Sequence, residues 1–321
     1  MIDLTLLEPL QIIERLTIVT PLGVRFLDEV TGKYIGDGLI VTAYPPDNPA
    51  RRTSGFVNRS STYVLSNLPG LHEAEIGSGD QEFWDNLPVK RRFVIEVVDA
   101  ERRFQPFTFS TDAPVRGLLE WAGLPGDSPP LAVPGVPLFS SPNRSVPASL
   151  AVLRAELHEW REGSDHIGGP AAWAVLEARI DGRVTARGFA DEQGRIALIF
   201  PYPEPLIDGL GSPPDVSRLS PPGPTGQSLR GQEWPIELAA YYGRLRPVPP
   251  TFNARPIPDL SDVFMQPPAE LYADSERQTP LTVARLRFGQ ELTVRSRDFT
   301  KETIDGDPIS ALFIIPAGSP P

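Results

Sequence analysis

The sequence predicts an all-β protein: two β-sandwich modules joined by Pro-rich linkers, with a C-terminal β extension. Three observations carry this. First, 38 Pro and 27 Gly punctuate 321 residues, too densely for a helical chain. Second, the apolar residues between those breaks alternate with their neighbours, as strands require. Third, one phrase occurs twice. Gly55-Phe56-Val57-Asn58 to Leu65 aligns without gaps on Gly188-Phe189-Ala190-Asp191 to Leu198. Gly falls on Gly, Phe on Phe, Asn58 on Asp191, Tyr63 on Ile196 and Leu65 on Leu198. Each copy reads as strand, tight turn, strand, with Asn or Asp opening the turn through a bond to its own backbone.

Residues 1–15 form an N-terminal arm, a short helical face or an edge strand. Module 1 spans 16–114. Val24 and Phe26 alternate with Arg25 and Leu27, and Asp28 to Gly32 supply a turn. Leu39–Tyr44 is a strand stopped by Pro45 and Pro46. The first repeated hairpin follows, and then a longer excursion, 71–92. Phe93–Val98 is the best strand of the module, and Phe104–Phe109 is expected to pair with it. Residues 115–148 are a Pro-rich linker of extended character.

Module 2 spans 149–245. Its strands are expected at Ala151–Leu157, at Trp173–Ile180, in the second repeated hairpin and at Trp234–Tyr242. A long Gly/Pro/Ser loop, 205–232, interrupts it. The extension, 246–321, offers Ala284–Phe288 paired with Glu291–Val294 across Gly289-Gln290. It ends with the apolar strand Ala311–Ile315, which must complete a sheet, preferably within the chain.

Composition excludes several function classes. The net charge is −11, and no Lys/Arg cluster stands out, so nucleic acid is not an expected partner. With no Cys, disulfide and thiolate chemistry is ruled out. No signal peptide or membrane-length apolar run is visible, so synthesis and assembly in the cytoplasm are expected, without membrane insertion.

Chemistry-bearing motifs are weak. His158 and His166 share one connection with Glu156, Glu159, Glu162 and Asp165, but without a tight ligand spacing; a solvated acidic loop is the simpler reading. Asp305-Gly306-Asp307 lacks the rest of a calcium loop. No pair of carboxylates is marked out for acid–base work. No catalytic residue, metal or cofactor is therefore assigned. The expected partner-binding residues are Trp84 and Trp121, in irregular segments, and Leu312, Phe313 and Ile314, in the terminal strand. Exposed aromatic faces would also suit a carbohydrate or surface ligand.

Two resemblances add to this. The turn at 28–32, strand 39–44, the hairpin at 55–65 and Leu68-Pro69-Gly70 resemble prealbumin-like or carboxypeptidase-regulatory-like β-sandwich domains, with Ser61 where the hairpin usually has Gly. A wider succession covers nearly the whole chain. It comprises Gly23-Val24-Arg25-Phe26, Gly38-Leu39, Asn58-Arg59-Ser60, Leu68 to Leu71, Phe83-Trp84, Ala172-Trp173-Ala174, Gly188 to Asp191, Phe200 to Pro203 and the tail from Phe313 to Pro321. This succession resembles a family encoded beside phage-tail-like contractile injection systems of bacteria. The resemblance implies a non-enzymatic structural component, baseplate- or cap-associated, oligomeric within the assembly and in contact with other subunits of the particle.

Overall fold

A computed structural model describes residues 18–86, 90–121, 135–162, 167–203, 232–249, 254–296 and 311–316. The N-terminal arm, nearly all of the 205–232 loop, His166 with Asp165, and Asp305 with Asp307 lie outside the described residues. Among those described, the chain is almost entirely β, and no helix is long and apolar enough to cross a membrane.

The first half opens with β1 (Leu22–Val24), β2 (Phe26–Asp28), β3 (Lys33–Tyr34), β4 (Leu39–Tyr44), β5 (Thr53–Ser54), β6 (Phe56–Val57) and β7 (Tyr63–Leu65). A short helix, α1 (Gln81–Asp85), precedes β8 (Arg91–Asp99) and β9 (Phe107–Ala113). Three small sheets result, ordered β1-β7-β6, β10-β2-β3 and β5-β4-β8-β9, where β10 (Val136–Leu138) comes from the end of the Pro-rich linker. Pro137 serves there as a strand residue because β10 has β2 as its one described neighbour. Alternation sends Phe93, Ile95 and Val97 of β8 into a shared core, where they meet Phe26, Phe107 and Phe109.

The second half contains β11 (Leu150–Trp160), β12 (Ile167–Pro170), β13 (Val175–Ile180), β14 (Arg183–Phe189), β15 (Arg195–Pro201) and β16 (Glu233–Tyr241). After α2 (Leu260–Phe264) come β17 (Pro268–Tyr272), β18 (Val283–Arg287), β19 (Leu292–Val294) and β20 (Leu312–Pro316). They form one ten-stranded sheet along the path β12-β11-β20-β17-β16-β13-β14, with β15 and β19 also on β11 and β18 also on β16. β11 is long enough to change partners: its Leu150–Glu156 half pairs with β15 and β19, and its Leu157–Trp160 half with β12 and β20. The sheet thereby folds over a second core that includes Leu153, Leu198, Trp234, Leu286 and Leu312.

The two cores are not divided strictly along the chain. α2 contributes Leu260, Val263 and Phe264 to the first core, and Val175 and Phe189 join it as well. Backbone hydrogen bonding reinforces this, since the Thr108 N–H donates to Pro258 O at 2.9 Å.

Two expectations need correction. Strands 284–288 and 291–294 do not pair with each other: β18 lies antiparallel on β16 and β19 parallel on β11. A turn at Gly289 joins them, but each finds a longer neighbour. The repeated phrase also diverges in its arms. Its turns match bond for bond. Asn58 Oδ1 accepts from the N–H groups of Ser60 and Thr62, and Asp191 Oδ1 from those of Gln193 and Arg195. Ser61 and Gly194 occupy the same left-handed position, with φ of 54° and 75°. A methyl on Gly55 would stand 3.0 Å from Leu65, and one on Gly188 2.9 Å from Leu198. Beyond the turn, β6 pairs with β7, whereas β14 pairs with β13 and β15 with β11. Phe189 is therefore buried at 1% exposure, while Phe56 is 57% exposed; the two do not hold equivalent core positions.

Candidate functional site

The expected partner-binding residues fall in two different settings. Trp84 lies in α1, capped by Asp80, which accepts from the Phe83 N–H. Its indole N–H donates to Gly79 O at 3.2 Å, and its ring meets Phe83 edge-on. Trp121 is half-buried against the first core. Leu312, Phe313 and Ile314 are fully buried. β20 is hydrogen-bonded on both edges, parallel to β11 and antiparallel to β17. Pairing within the chain, the preferred expectation, is what the fold displays; these three side chains are core residues and are not presented to a partner.

A groove that the sequence did not single out opens at one end of the second core. Two period-two rows lead to it. On β11, Ala151, Leu153, Ala155 and Leu157 face inward, and Glu159 is next in the row. On β16, Trp234, Ile236, Leu238 and Ala240 face inward, and Tyr242 follows. The two polar ends meet: the Tyr242 hydroxyl donates to Glu159 Oε2 at 3.2 Å. A carboxylate buried at 6% exposure requires compensation, and Arg244 supplies it with Nη2 at 2.6 Å from Oε1. Burial, reinforced by the Glu159 charge and hydrogen bond, pushes the Tyr242 hydroxyl up to about 12, so it remains a donor. Arg244 has a left-handed backbone, φ 53°, which an L-residue adopts at a cost.

The groove has a volume of about 580 Å³. Arg161 and Arg246 line it beside Arg244, with Pro170, Leu245 and Ile315 as apolar wall. Arg161 reaches only to 3.8 Å from Glu159, with its side chain 66% exposed. Arg246 is exposed and makes no hydrogen bond or ion pair among the described residues. Trp160 also borders the groove, but Arg277 covers its ring at 4.9 Å and its indole N–H donates to Ser275 O.

The expectation for Glu159 is corrected here. The strand runs on to Trp160, so Glu159 is a buried core-end residue and not part of a solvated connection. His158 points to the other face and pairs with Glu156 at 3.2 Å. Among the described residues, no three metal-ligating side chains stand together. The signal that could have identified the groove was the inward row continuing past Leu157 into a carboxylate.

No protein-family model and no curated protein matches the chain. Among solved structures, the Bacillus anthracis TIE protein is similar at 10% identity, covering 84% of this chain and 44% of that chain, with a TM-score of 0.22. The chain thus spans less than half the length of that protein, and a TM-score this low transfers neither its fold nor its role.

Proposed function

We propose that this protein is a non-enzymatic structural component of a phage-tail-like contractile injection particle, holding neighbouring subunits at a baseplate- or cap-associated position. The resemblance in its sequence supplies the particle. One observation supports the contact role: exposed apolar side chains on β4 of the four-stranded sheet and on β6, the strand that follows β5. Thr42 lies opposite Ser54, Ala43 opposite Thr53, and the Gly55 N–H donates to Val41 O. Ile40 lies opposite Val98 of β8, and Phe56 follows Gly55 into β6, which pairs with β7 in the three-stranded sheet β1-β7-β6. Ile40 is 54% and Phe56 57% exposed. Exposed large apolar side chains on adjoining strands suit a protein–protein contact.

Sedimentation tests the reading. The protein in its native host should travel with high-mass particles, and an Ile40→Glu/Phe56→Glu variant should stay in the light fraction while unfolding at the same denaturant concentration. A wild-type protein found only in the light fraction, or a variant that still travels with the particle, would defeat it.

A further inference from the structure

From the geometry of the groove at the end of the second core, we infer a docking site for an acidic peptide segment of a partner chain, its carboxylates held by Arg161 and Arg246. The chain as a whole carries −11, so a cluster of three guanidinium groups at one opening runs against its average. The charges facing the groove are Arg161, Arg244, Arg246, Glu159 and Glu162. Glu159 is already satisfied by Arg244 and the Tyr242 hydroxyl. That leaves Arg161 and Arg246 against Glu162, a surplus of one positive charge, and neither arginine has an acceptor within hydrogen-bond distance among the described residues. Guanidinium groups pair with carboxylates through two parallel hydrogen bonds, which gives orientation as well as attraction.

Peptide is favoured over acidic glycan by the rest of the lining. Sugar rings need an open aromatic face. The Trp160 ring is covered by Arg277, and Tyr242 is 4% exposed. Apolar side chains fill the remaining wall, Ile315, Leu245, Pro170 and Ala172 among them, and they suit the alternate residues of an extended peptide. β12, which ends at Pro170 on this wall, is the outermost strand of its sheet and pairs only with β11 among the described residues. Gly169 in that strand has open space where a side chain would stand. A strand edge with no described partner beside a cationic groove is the arrangement in which main-chain hydrogen bonds supply affinity and side-chain pockets supply selection. This inference deepens the assembly reading by naming the chemistry of a partner, but the peptide assay below contains no particle, so either reading can fail alone.

The test is fluorescence anisotropy of the full chain with a labelled hexapeptide of alternating Val and Glu. Saturable binding is expected, weakened about tenfold or more in Arg161→Gln/Arg246→Gln, since each lost charge-assisted bond contributes on that scale. Glu162→Gln should tighten binding, raised salt should weaken it, and the Val/Lys hexapeptide should not bind. Both arginines are exposed, and among the described residues their one ion pair is that of Arg161 with Glu159 at 3.8 Å, so the double variant should keep the wild-type unfolding midpoint. No saturable signal, equal affinity in the double variant, or binding of an oligogalacturonate in place of the peptide would overturn the inference.

Discussion

Phe189→Ala and Phe56→Ala should differ several-fold in cost, although the two phenylalanines occupy matching places in a repeated phrase. Phe189 is 1% exposed. Its ring lies 5.6 Å from Phe139 and 6.4 Å from Phe264, and those two rings lie 4.8 Å apart. Truncation removes the transfer energy of a buried aromatic ring, about 1.5–3 kcal/mol, and leaves a cavity between two rings. The sum falls in the usual range of about 3–5 kcal/mol for Phe→Ala in a core. Phe56 is 57% exposed and should cost less than about 1 kcal/mol. Equilibrium unfolding in guanidinium chloride, with unchanged slope, reads both. The placement of Phe189 adds a sharper requirement. It follows β13 in the chain, yet it belongs to the core of Phe26 and Phe107. If unfolding shows two transitions, Phe189→Ala must shift the one that Phe26→Ala shifts, and Leu198→Ala must shift the other. Equal costs for the two phenylalanines, or Phe189 moving with Leu198, would refute this account of the cores.

Asp28→Asn should cost about 3–5 kcal/mol, because it leaves Arg144 without its partner in a largely buried pair; chemical unfolding at pH 7 measures it. Burial alone would raise the Asp28 carboxyl, but hydrogen bonds from Arg144 and Thr31 outweigh it and hold the group below its ordinary 3.8. The stabilisation is thus present above that value and lost as pH falls through the lower folded one, so the gap between wild type and Asp28→Asn should close under acid. Gly194→Ala should be strongly destabilising, since its methyl would stand 2.2 Å from Leu157 O. Ser61→Gly should be neutral or stabilising by up to about 1 kcal/mol, because it relieves a left-handed non-Gly residue; thermal melts of the two variants check the contrast. Removing residues 311–321 should abolish cooperative unfolding of the second core, since β20 stands between β11 and β17; a truncated chain that melts like wild type would contradict this.

Period-two alternation made the long strands legible: β4, β8 and β16 lie where the sequence puts them, and β11 begins there but runs on to Trp160. The Asx turn was also legible, because its hydrogen bonds are local and depend on Asn58 and Asp191 alone. Strand partnership was not. Glu291–Val294 is locally a good mate for Ala284–Phe288, but β11 offers β19 a parallel partner from 137 residues away at the Arg154–Glu291 contact. Nor does any local pattern show that α2 fills the first core, since Leu260, Val263 and Phe264 form only a short apolar face. The groove is hidden for a related reason: the acidic neighbours of Glu159 in sequence suggest a solvated connection, whereas its burial is decided by the row of alternate residues behind it.

The same logic separates structural arginines from those that can serve a partner. The buried carboxylates of Asp28, Asp99, Glu159 and Glu177 face guanidinium groups. Arg144 places Nη1 and Nη2 at 2.9 and 2.7 Å from the two Asp28 oxygens and reaches Ser140 as well. Arg187 bonds Glu177 across β13 and β14, and Arg103 holds Asp99 while donating to Asp37 O. A lysine would keep each charge but could not make the paired, planar contacts, which accounts for a chain that uses Arg where Lys would serve a plain surface. Arg244 belongs to this structural set through Glu159. Among the described residues, Arg161 and Arg246 stand beside it without such a bond, over a groove that has apolar walls and a strand edge with no described partner. They are therefore the arginines whose removal should leave the fold intact and change what the groove holds.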